Sequence, residues 1–334
     1  MLCYVDDSLP GITRKRKGRY WQYFDAKGKR VTKRDEIDHL NAIGLPPAYV
    51  DAWFCPSPHG HIQAIGYDDR GRKQYRYHVG FRAQQEAAKY DRCASFGRAL
   101  PLLRARVESD IARRSLSRET VVAAVVRLLD LERIRVGNEQ YAEANNSFGA
   151  TTLRSRHVKI LGRTVKMRFA AKGGVMRELS ITDRNLTRLV KRFQDLPGQN
   201  LFQYTDDAGD PVPVSSSDVN DYIRDAMGDE FTAKHFRTWG ASTIAFEALC
   251  GAGDEGISLK QMLEPVAQAL GNTPAISRKS YVHPALIEAV KESENPLGGL
   301  QCPRATKYLT SAERGLIEFL DKLPTVHEVS AKAA

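Results

Sequence analysis

The sequence lacks any apolar run long enough to cross a membrane. A spanning helix needs about 20 predominantly apolar residues. The longest apolar stretch, residues 121–131, is interrupted by Arg127 and Asp130. Residues 1–18 contain several basic side chains but no apolar segment of the kind found in a secretory signal. The sequence therefore predicts neither a membrane span nor a secretory leader, and we expect a cytoplasmic location.

Cysteine is scarce and scattered. The chain has five cysteines, and no two of them stand at C-x-x-C spacing: Cys3, Cys55, Cys93, Cys250 and Cys302. An odd number without paired spacing argues against both a disulfide framework and a structural zinc site. We expect isolated, inert thiols in a reducing compartment.

The familiar signatures of metal and nucleotide sites are also missing. The sequence contains no G-x-x-x-x-G-K-[ST] phosphate loop, no H-E-x-x-H pair and no Asp-rich metal loop. It contains no G-x-S-x-G nucleophile turn either. Any chemistry is therefore predicted to use side chains alone, with no cofactor and no metal.

Positive charge is abundant and clustered. Lys and Arg number 50 against 40 acidic residues, which gives a net charge of +10. Residues 11–34 contain ten basic side chains and one acid, and residues 151–179 contain eight and one. Basic clusters of this size, interrupted by aromatic and turn residues, indicate a polyanionic partner, usually nucleic acid.

The secondary-structure pattern changes near residue 90. Before that point short aromatic strands alternate with Gly-containing turns, as in the predicted hairpin of residues 61–67 and 72–78. Beyond it apolar residues recur at helical spacing, interrupted by three predicted strands between residues 157 and 181. We predict an α+β protein with a small N-terminal antiparallel sheet domain, residues 1–90. A larger, mainly helical domain with a three-stranded sheet would span residues 91–334.

Four segments of the second part contain side chains suited to phosphoryl transfer: residues 133–141, 171–174, 234–240 and 271–281. Two arginines can hold the oxygens of a phosphate, a tyrosine hydroxyl can attack its phosphorus, and a lysine can protonate a departing alkoxide. Phosphoryl transfer depends mainly on positioning and charge stabilisation, so two arginines can take the place of a metal. Spacing alone assigns none of these roles.

The same segments, in this order, resemble the type IB DNA topoisomerases of the short poxvirus and bacterial branch. The matching blocks are Arg135-x-Gly137 with Tyr141, Asn145 and Gly149-x-x-Thr152-Leu153; Phe169-x-x-Lys172; Lys234-x-x-Arg237-Thr238-x-Gly240; and Thr273-Pro274-x-Ile276-Ser277-x-x-x-Tyr281. The strand Gln74-Tyr75-x-Tyr77 further resembles the base-contacting strand of the poxvirus enzymes. The likeness covers most of residues 19–290.

The resemblance implies a catalytic role for each matching residue. Tyr281 would form a 3′-phosphotyrosyl bond, Arg135 and Arg237 would stabilise the transition state, and Lys172 would protonate the leaving 5′-hydroxyl. The fifth family position, nine residues before the tyrosine, is usually His and here is Asn272. An amide can donate a hydrogen bond to phosphate but cannot carry charge or shuttle a proton.

The resemblance also implies the partner and the mode of action. Duplex DNA would be contacted by Gln74, Tyr75, Tyr77, Tyr141 and Asn145, inside a C-shaped clamp formed by a monomer. The enzyme would nick one strand, let the DNA swivel to relax positive and negative supercoils, and religate without ATP or metal. A bacterial cytoplasm or nucleoid would be its location.

Two other functions stay open at this point. A tyrosine site-specific recombinase uses the same transesterification, but its hallmark His three residues before the second Arg is replaced by Lys234, and His235 is one position off. A nucleic-acid-binding module without catalysis would need only the charge. The residues around Pro274 and the N-terminal strands favour the topoisomerase.

Overall fold

The chain folds into two compact units, Met1–Ala88 and Lys89–Ala334. Their description rests on a computed structural model that describes residues 2–228, 230–253, 256–292 and 302–323. Each unit has its own hydrophobic core.

Unit 1 is built on a five-stranded antiparallel sheet. Its elements are β1 (Ile12–Lys17), β2 (Tyr20–Phe24), α1 (Arg34–Ala42), β3 (Val50–Phe54), β4 (Ile62–Tyr67) and β5 (Lys73–Tyr77), with the strand order β2-β1-β3-β4-β5. The predicted hairpin is present as β4 and β5, and its turn contains Gly71 at φ +69°. Gly71 N–H donates to the Asp68 carbonyl at 2.9 Å. A glycine at this position avoids the strain that a side chain would meet at positive φ.

One arginine of the basic cluster in residues 11–34 is a structural residue. Arg14 of β1 is half-buried and donates to the carbonyls of Leu45 at 2.8 Å and Pro46 at 2.6 Å. Its guanidinium carbon lies 4.1 Å from the centre of the Trp21 ring, a cation–π contact. The charge of this cluster is therefore not wholly available to a partner.

Unit 2 is mainly helical and is organised around two buried helices. Its α-helices are α2 (Val79–Ala112, which begins in unit 1), α3 (Arg118–Glu132), α4 (Glu139–Asn145), α5 (Arg184–Gln194), α6 (Ser216–Met227), α7 (Ala233–Ala252), α8 (Leu259–Leu270), α9 (Pro274–Ser280), α10 (Pro284–Glu292) and α11 (Ser311–Asp321). In α3 every residue from Val121 to Val126 is buried, and α7 is buried along most of its length. Of the helices in the described ranges, none is both long and apolar enough to cross a bilayer.

The second unit also contains the predicted three-stranded sheet. Its strands are β6 (Val158–Leu161), β7 (Thr164–Ala170) and β8 (Met176–Thr182), all antiparallel, and a separate ribbon pairs β9 (Gln203–Thr205) with β10 (Pro211–Pro213). In β7 the buried side chains alternate as Val165, Met167 and Phe169, so one face packs on the core. The prediction of an α+β protein with these two sheets is confirmed.

The last described helix, α11, is anchored by a buried ionic network. Arg104 Nη2 lies 2.8 Å from Asp130 Oδ1 and 2.7 Å from Glu313 Oε1. The Trp239 indole N–H donates to Glu313 Oε1 at 3.1 Å. Buried charges need partners of this kind, so α11 is an integral part of unit 2.

All five cysteines are free thiols, as expected, but two of them are not isolated from each other. Cys250 near the end of α7 and Cys302 ahead of α11 place their sulfur atoms 2.7 Å apart. The two residues are 52 positions apart in the chain, and no spacing rule connects them. Packing of the segment before α11 against α7 brings them together.

Candidate active site

Tyr281 is placed by the helix that ends at it. α9 begins with Thr273 as its N-cap, whose side chain accepts from the Ile276 N–H, and with Pro274 in its first turn. Pro is well suited to this position because it has no N–H to leave unsatisfied. At the other end the Tyr281 N–H donates to the Ser277 carbonyl at 3.1 Å. The ring of Tyr281 is half-buried as a result.

Arg237 lies under the Tyr281 ring. It occupies the second turn of α7, is 5% exposed, and has its guanidinium carbon 4.7 Å from the centre of the Tyr281 ring. It donates to the carbonyl of Arg133, and its Nη2 donates to the Leu270 carbonyl at 3.2 Å. Burial, reinforced by the nearby charges of Arg135 and Arg177, lowers the pKa of Arg237, but an arginine stays protonated in proteins. The Nε of Arg237 is buried and has no hydrogen-bond partner among the residues that the structure describes, so it is an unsatisfied donor within that part of the chain.

Arg135 is held by a close approach of two backbone segments. Its carbonyl accepts from the Ala150 N–H at 2.9 Å. Gly149 makes that approach possible, since a Cβ at Gly149 would lie 2.6 Å from the Arg135 carbonyl oxygen and 2.6 Å from the Gly137 nitrogen. This packing explains why Arg135-x-Gly137 and Gly149 occur in one sequence block.

Asn272 lies within hydrogen-bonding distance of both arginines and bonds one of them in each orientation of its amide. It follows α8, which ends at Gly271 with φ +61°, and the Asn272 N–H donates back to the Ala267 carbonyl at 3.0 Å. In one orientation of the amide, Oδ1 accepts from Arg135 Nη2 at 3.4 Å. In the other, the oxygen accepts from Arg237 Nη2 at 3.0 Å and the nitrogen donates to the Gly271 carbonyl at 3.2 Å. The second orientation gives better hydrogen-bond geometry.

The electrostatics of this cluster make Tyr281 easier to ionise. Burial opposes ionisation of Tyr281, but the positive charges of Arg237 and Arg135 outweigh it and lower the pKa of the phenol below its ordinary value. A tyrosine that loses its proton more readily is a better nucleophile towards phosphorus.

Lys172 stands apart from these four residues. It opens a 3₁₀ turn, Lys172–Gly174, between β7 and β8 and is exposed. Gly173 and Gly174 have φ of +79° and +76°. Among the described residues no hydrogen bond or ion pair joins Lys172 to Tyr281, Arg135, Arg237 or Asn272. The neighbouring Ala171 does line a small cleft with Arg135 and Arg237.

The predicted base-contacting residues of unit 1 lie on the edge strand β5. The rings of Tyr75 and Tyr77 are stacked, with centres 5.8 Å apart and planes at 11°, and each side chain is about 40% exposed. Gln74 points to the other face, because side chains alternate along a strand. There its amide nitrogen donates to Asp68 Oδ2 at 3.0 Å, inside the β4–β5 hairpin.

Tyr141 and Asn145 lie on the short helix α4. Asn138 caps this helix, and its side chain accepts from the Tyr141 N–H at 2.9 Å. The Asn145 amide donates to the Tyr141 carbonyl at 3.1 Å. Both side chains are half-buried.

Sequence reasoning missed one residue beside the site, Arg177 of β8. Its side chain donates to the carbonyls of Gln268 at 3.0 Å and Ala269 at 2.7 Å, at the end of α8. The only feature of the sequence that could have pointed to Arg177 is its place on the Lys172 hairpin, five positions after Lys172.

Comparisons with known proteins identify the family of the chain. Residues 78–296 match the family model described as "Eukaryotic DNA topoisomerase I, catalytic core", and residues 20–68 match "Bacterial DNA topoisomerase IB, N-terminal domain". The chain is 33% identical over 290 residues to "DNA topoisomerase 1B" of Acanthamoeba polyphaga mimivirus. The aligned segment covers 82% of this chain and 85% of the relative. The chain is also 25% identical over 244 residues to "DNA topoisomerase 1B" of Vaccinia virus (strain Copenhagen), covering 68% and 72%. These matches do not favour the recombinase alternative. The chain belongs to the type IB DNA topoisomerases.

Proposed function

We propose that Tyr281 attacks one phosphate of duplex DNA and forms a 3′-phosphotyrosyl bond. The Tyr281 phenol gives up its proton to water, the phenolate oxygen bonds to phosphorus, the bond to the 5′-oxygen breaks, and that oxygen takes a proton from Lys172. Arg135, Arg237 and Asn272 donate to the non-bridging oxygens as charge develops on them. The observation that best supports this proposal is the contact of the buried Arg237 guanidinium with the Tyr281 ring, because it puts a fixed positive charge beside the proposed nucleophile.

The reverse reaction restores the strand. The 5′-hydroxyl attacks the phosphotyrosine, its proton passes to Lys172, and Tyr281 leaves as the phenolate and takes up a proton from water. One ester replaces another, so torsional strain in the DNA drives relaxation of positive and negative supercoils without ATP or metal. We propose a monomer as the working form. The C-shaped clamp stays a prediction, and the bacterial match of residues 20–68 supports action in a bacterial cytoplasm or nucleoid.

Incubation with supercoiled plasmid in EDTA, without ATP, tests this function. We expect relaxation of both signs of supercoil and, after SDS, a covalent adduct carrying the 5′-end-labelled strand. A requirement for ATP or metal, or an adduct on the other strand end, would contradict the proposal. Dependence on two specific DNA sites would favour a recombinase.

Lys172→Ala tests the general acid. We expect single-turnover cleavage of an ordinary duplex to fall by about 10²- to 10⁴-fold, the usual cost of losing such a group. A duplex with a 5′-bridging phosphorothiolate at the cleavage site releases a thiolate, which needs no proton. Lys172→Ala should cleave that duplex nearly as fast as the parent protein does. Equal defects on both duplexes would leave Lys172 as a phosphate contact only.

The β5 residues are expected to influence where the enzyme cleaves more than how fast. Replacing Gln74, Tyr75 and Tyr77 by Ala removes base-edge donors and aromatic faces, and cleavage sites mapped on one duplex should change. Phe at positions 75 and 77 keeps the stacked rings and serves as the matched control. If the triple Ala variant cleaves at the same sites as the parent, these side chains do not select the cleavage site and β5 is only a structural strand.

A further inference from the structure

The C-terminal end of α8 is capped by side chains from distant parts of unit 2. A helix leaves its last four carbonyls without partners inside the helix, and all four carbonyls of α8 are satisfied. The Ala267 carbonyl accepts from the Asn272 N–H at 3.0 Å, and the Leu270 carbonyl accepts from Arg237 Nη2 at 3.2 Å. The two between them, of Gln268 and Ala269, accept from Arg177.

Arg177 fits against the end of α8 because Gly271, the residue that follows this helix, has no side chain. A Cβ at Gly271 would lie 2.7 Å from Arg177 Nη1 and 2.8 Å from its Cδ. The negative end of the α8 dipole favours a cation here. The charge of Arg177 also interacts with Glu132 at the end of α3 and with Arg135. Arg177 thus contacts the segment that leads to Asn272 and Tyr281.

Arg177 is also close to the tip of the hairpin that carries Lys172. It pairs with Phe169, and a single further pair, Ala170 with Met176, separates it from the turn. The turn itself is closed by the Ala171 N–H, which donates to the Val175 carbonyl at 2.8 Å. Beyond that bond the tip is exposed and rich in glycine, so its position depends on how firmly the base of the turn is held.

We infer that Arg177 is a positioning residue, which ties the Lys172 hairpin to the end of α8 and so sets the distance between proton donor and nucleophile. The inference rests on the proposed function, in which Lys172 protonates the 5′-oxygen. Arg177 itself need not contact the DNA. Because displacement of a reacting group by about 1 Å can cost 10²-fold in rate, its effect should be confined to the step that needs Lys172.

The test compares Arg177→Ala with Lys172→Ala on the ordinary duplex and on the 5′-bridging phosphorothiolate duplex, by single-turnover cleavage. We expect Arg177→Ala to lose about 10- to 100-fold on the ordinary duplex and to regain nearly the parental rate with the sulfur leaving group. Arg177→Lys keeps one donor for the carbonyls and should lose less. Arg224→Ala, an arginine paired with Asp221 on α6, should match the parent on both duplexes.

The outcomes separate the inference from the proposed function. If sulfur restores Lys172→Ala but not Arg177→Ala, the inference is overturned and the general acid stands. If sulfur restores neither, the acid role of Lys172 fails and the inference fails with it. Should Arg177→Ala not fold, as judged by its melting temperature, the same comparison is made with Arg177→Lys. A loss of equal size on both duplexes would then overturn the inference.

Discussion

Tyr281→Phe is expected to abolish both relaxation and the covalent adduct while DNA binding survives. The substitution removes only the hydroxyl that we propose as the nucleophile. The Phe ring can keep the contact with the Arg237 guanidinium, whose carbon lies 4.7 Å from the centre of the Tyr281 ring. Binding depends on the basic side chains, which are unchanged. Plasmid relaxation, SDS trapping and a gel-shift titration measure the three quantities.

Tyr308→Phe is the matched control for the nucleophile. The Tyr308 hydroxyl donates to Glu108 Oε2 at 2.7 Å. Replacing Tyr308 by Phe therefore removes one phenolic hydroxyl outside the candidate site. This variant should relax plasmid at the parental rate. Residual relaxation or an adduct in Tyr281→Phe would mean that another side chain attacks the DNA.

Arg237→Lys should slow cleavage by about 10²- to 10³-fold, the loss that follows removal of one preorganised transition-state donor. A lysine keeps the charge but not the planar fork, which here reaches the Arg133 and Leu270 carbonyls while facing Tyr281. In the proposed mechanism the lost interactions act on phosphate oxygens and on the nucleophile, not on the leaving group. The phosphorothiolate duplex should therefore not restore the rate.

This behaviour distinguishes Arg237 from Lys172 in a single experiment. Single-turnover rates on the two duplexes are compared for both variants, with Arg224→Ala as the arginine control. If Arg237→Lys loses no more than about threefold in rate, instead of the 10²-fold or more expected, charge alone is sufficient at this position. Recovery with sulfur would assign Arg237 to the leaving group instead.

Local patterns in the sequence predicted much of the fold because they depend on neighbours along the chain. Apolar residues at helical spacing predicted helices beyond residue 90, and one of them is α3, which begins at Arg118 after the N-cap Ser117. Alternation and a Gly-containing turn predicted the β4–β5 hairpin. The α9 helix was missed, since its seven residues, Pro274–Ser280, are too few to show a period.

The sequence by itself determined which residues are candidates for chemistry, through four ordered blocks that resemble one family. Only the tertiary structure decided which of them meet: Arg135, Arg237, Asn272 and Tyr281 come together, whereas Lys172 stays on its exposed turn. It also decided that Arg14 is structural and that Arg177 caps α8. Both arginines donate to backbone carbonyls, and every residue has a carbonyl, so such bonds leave no pattern in the sequence. Their partners are defined only when the chain has folded.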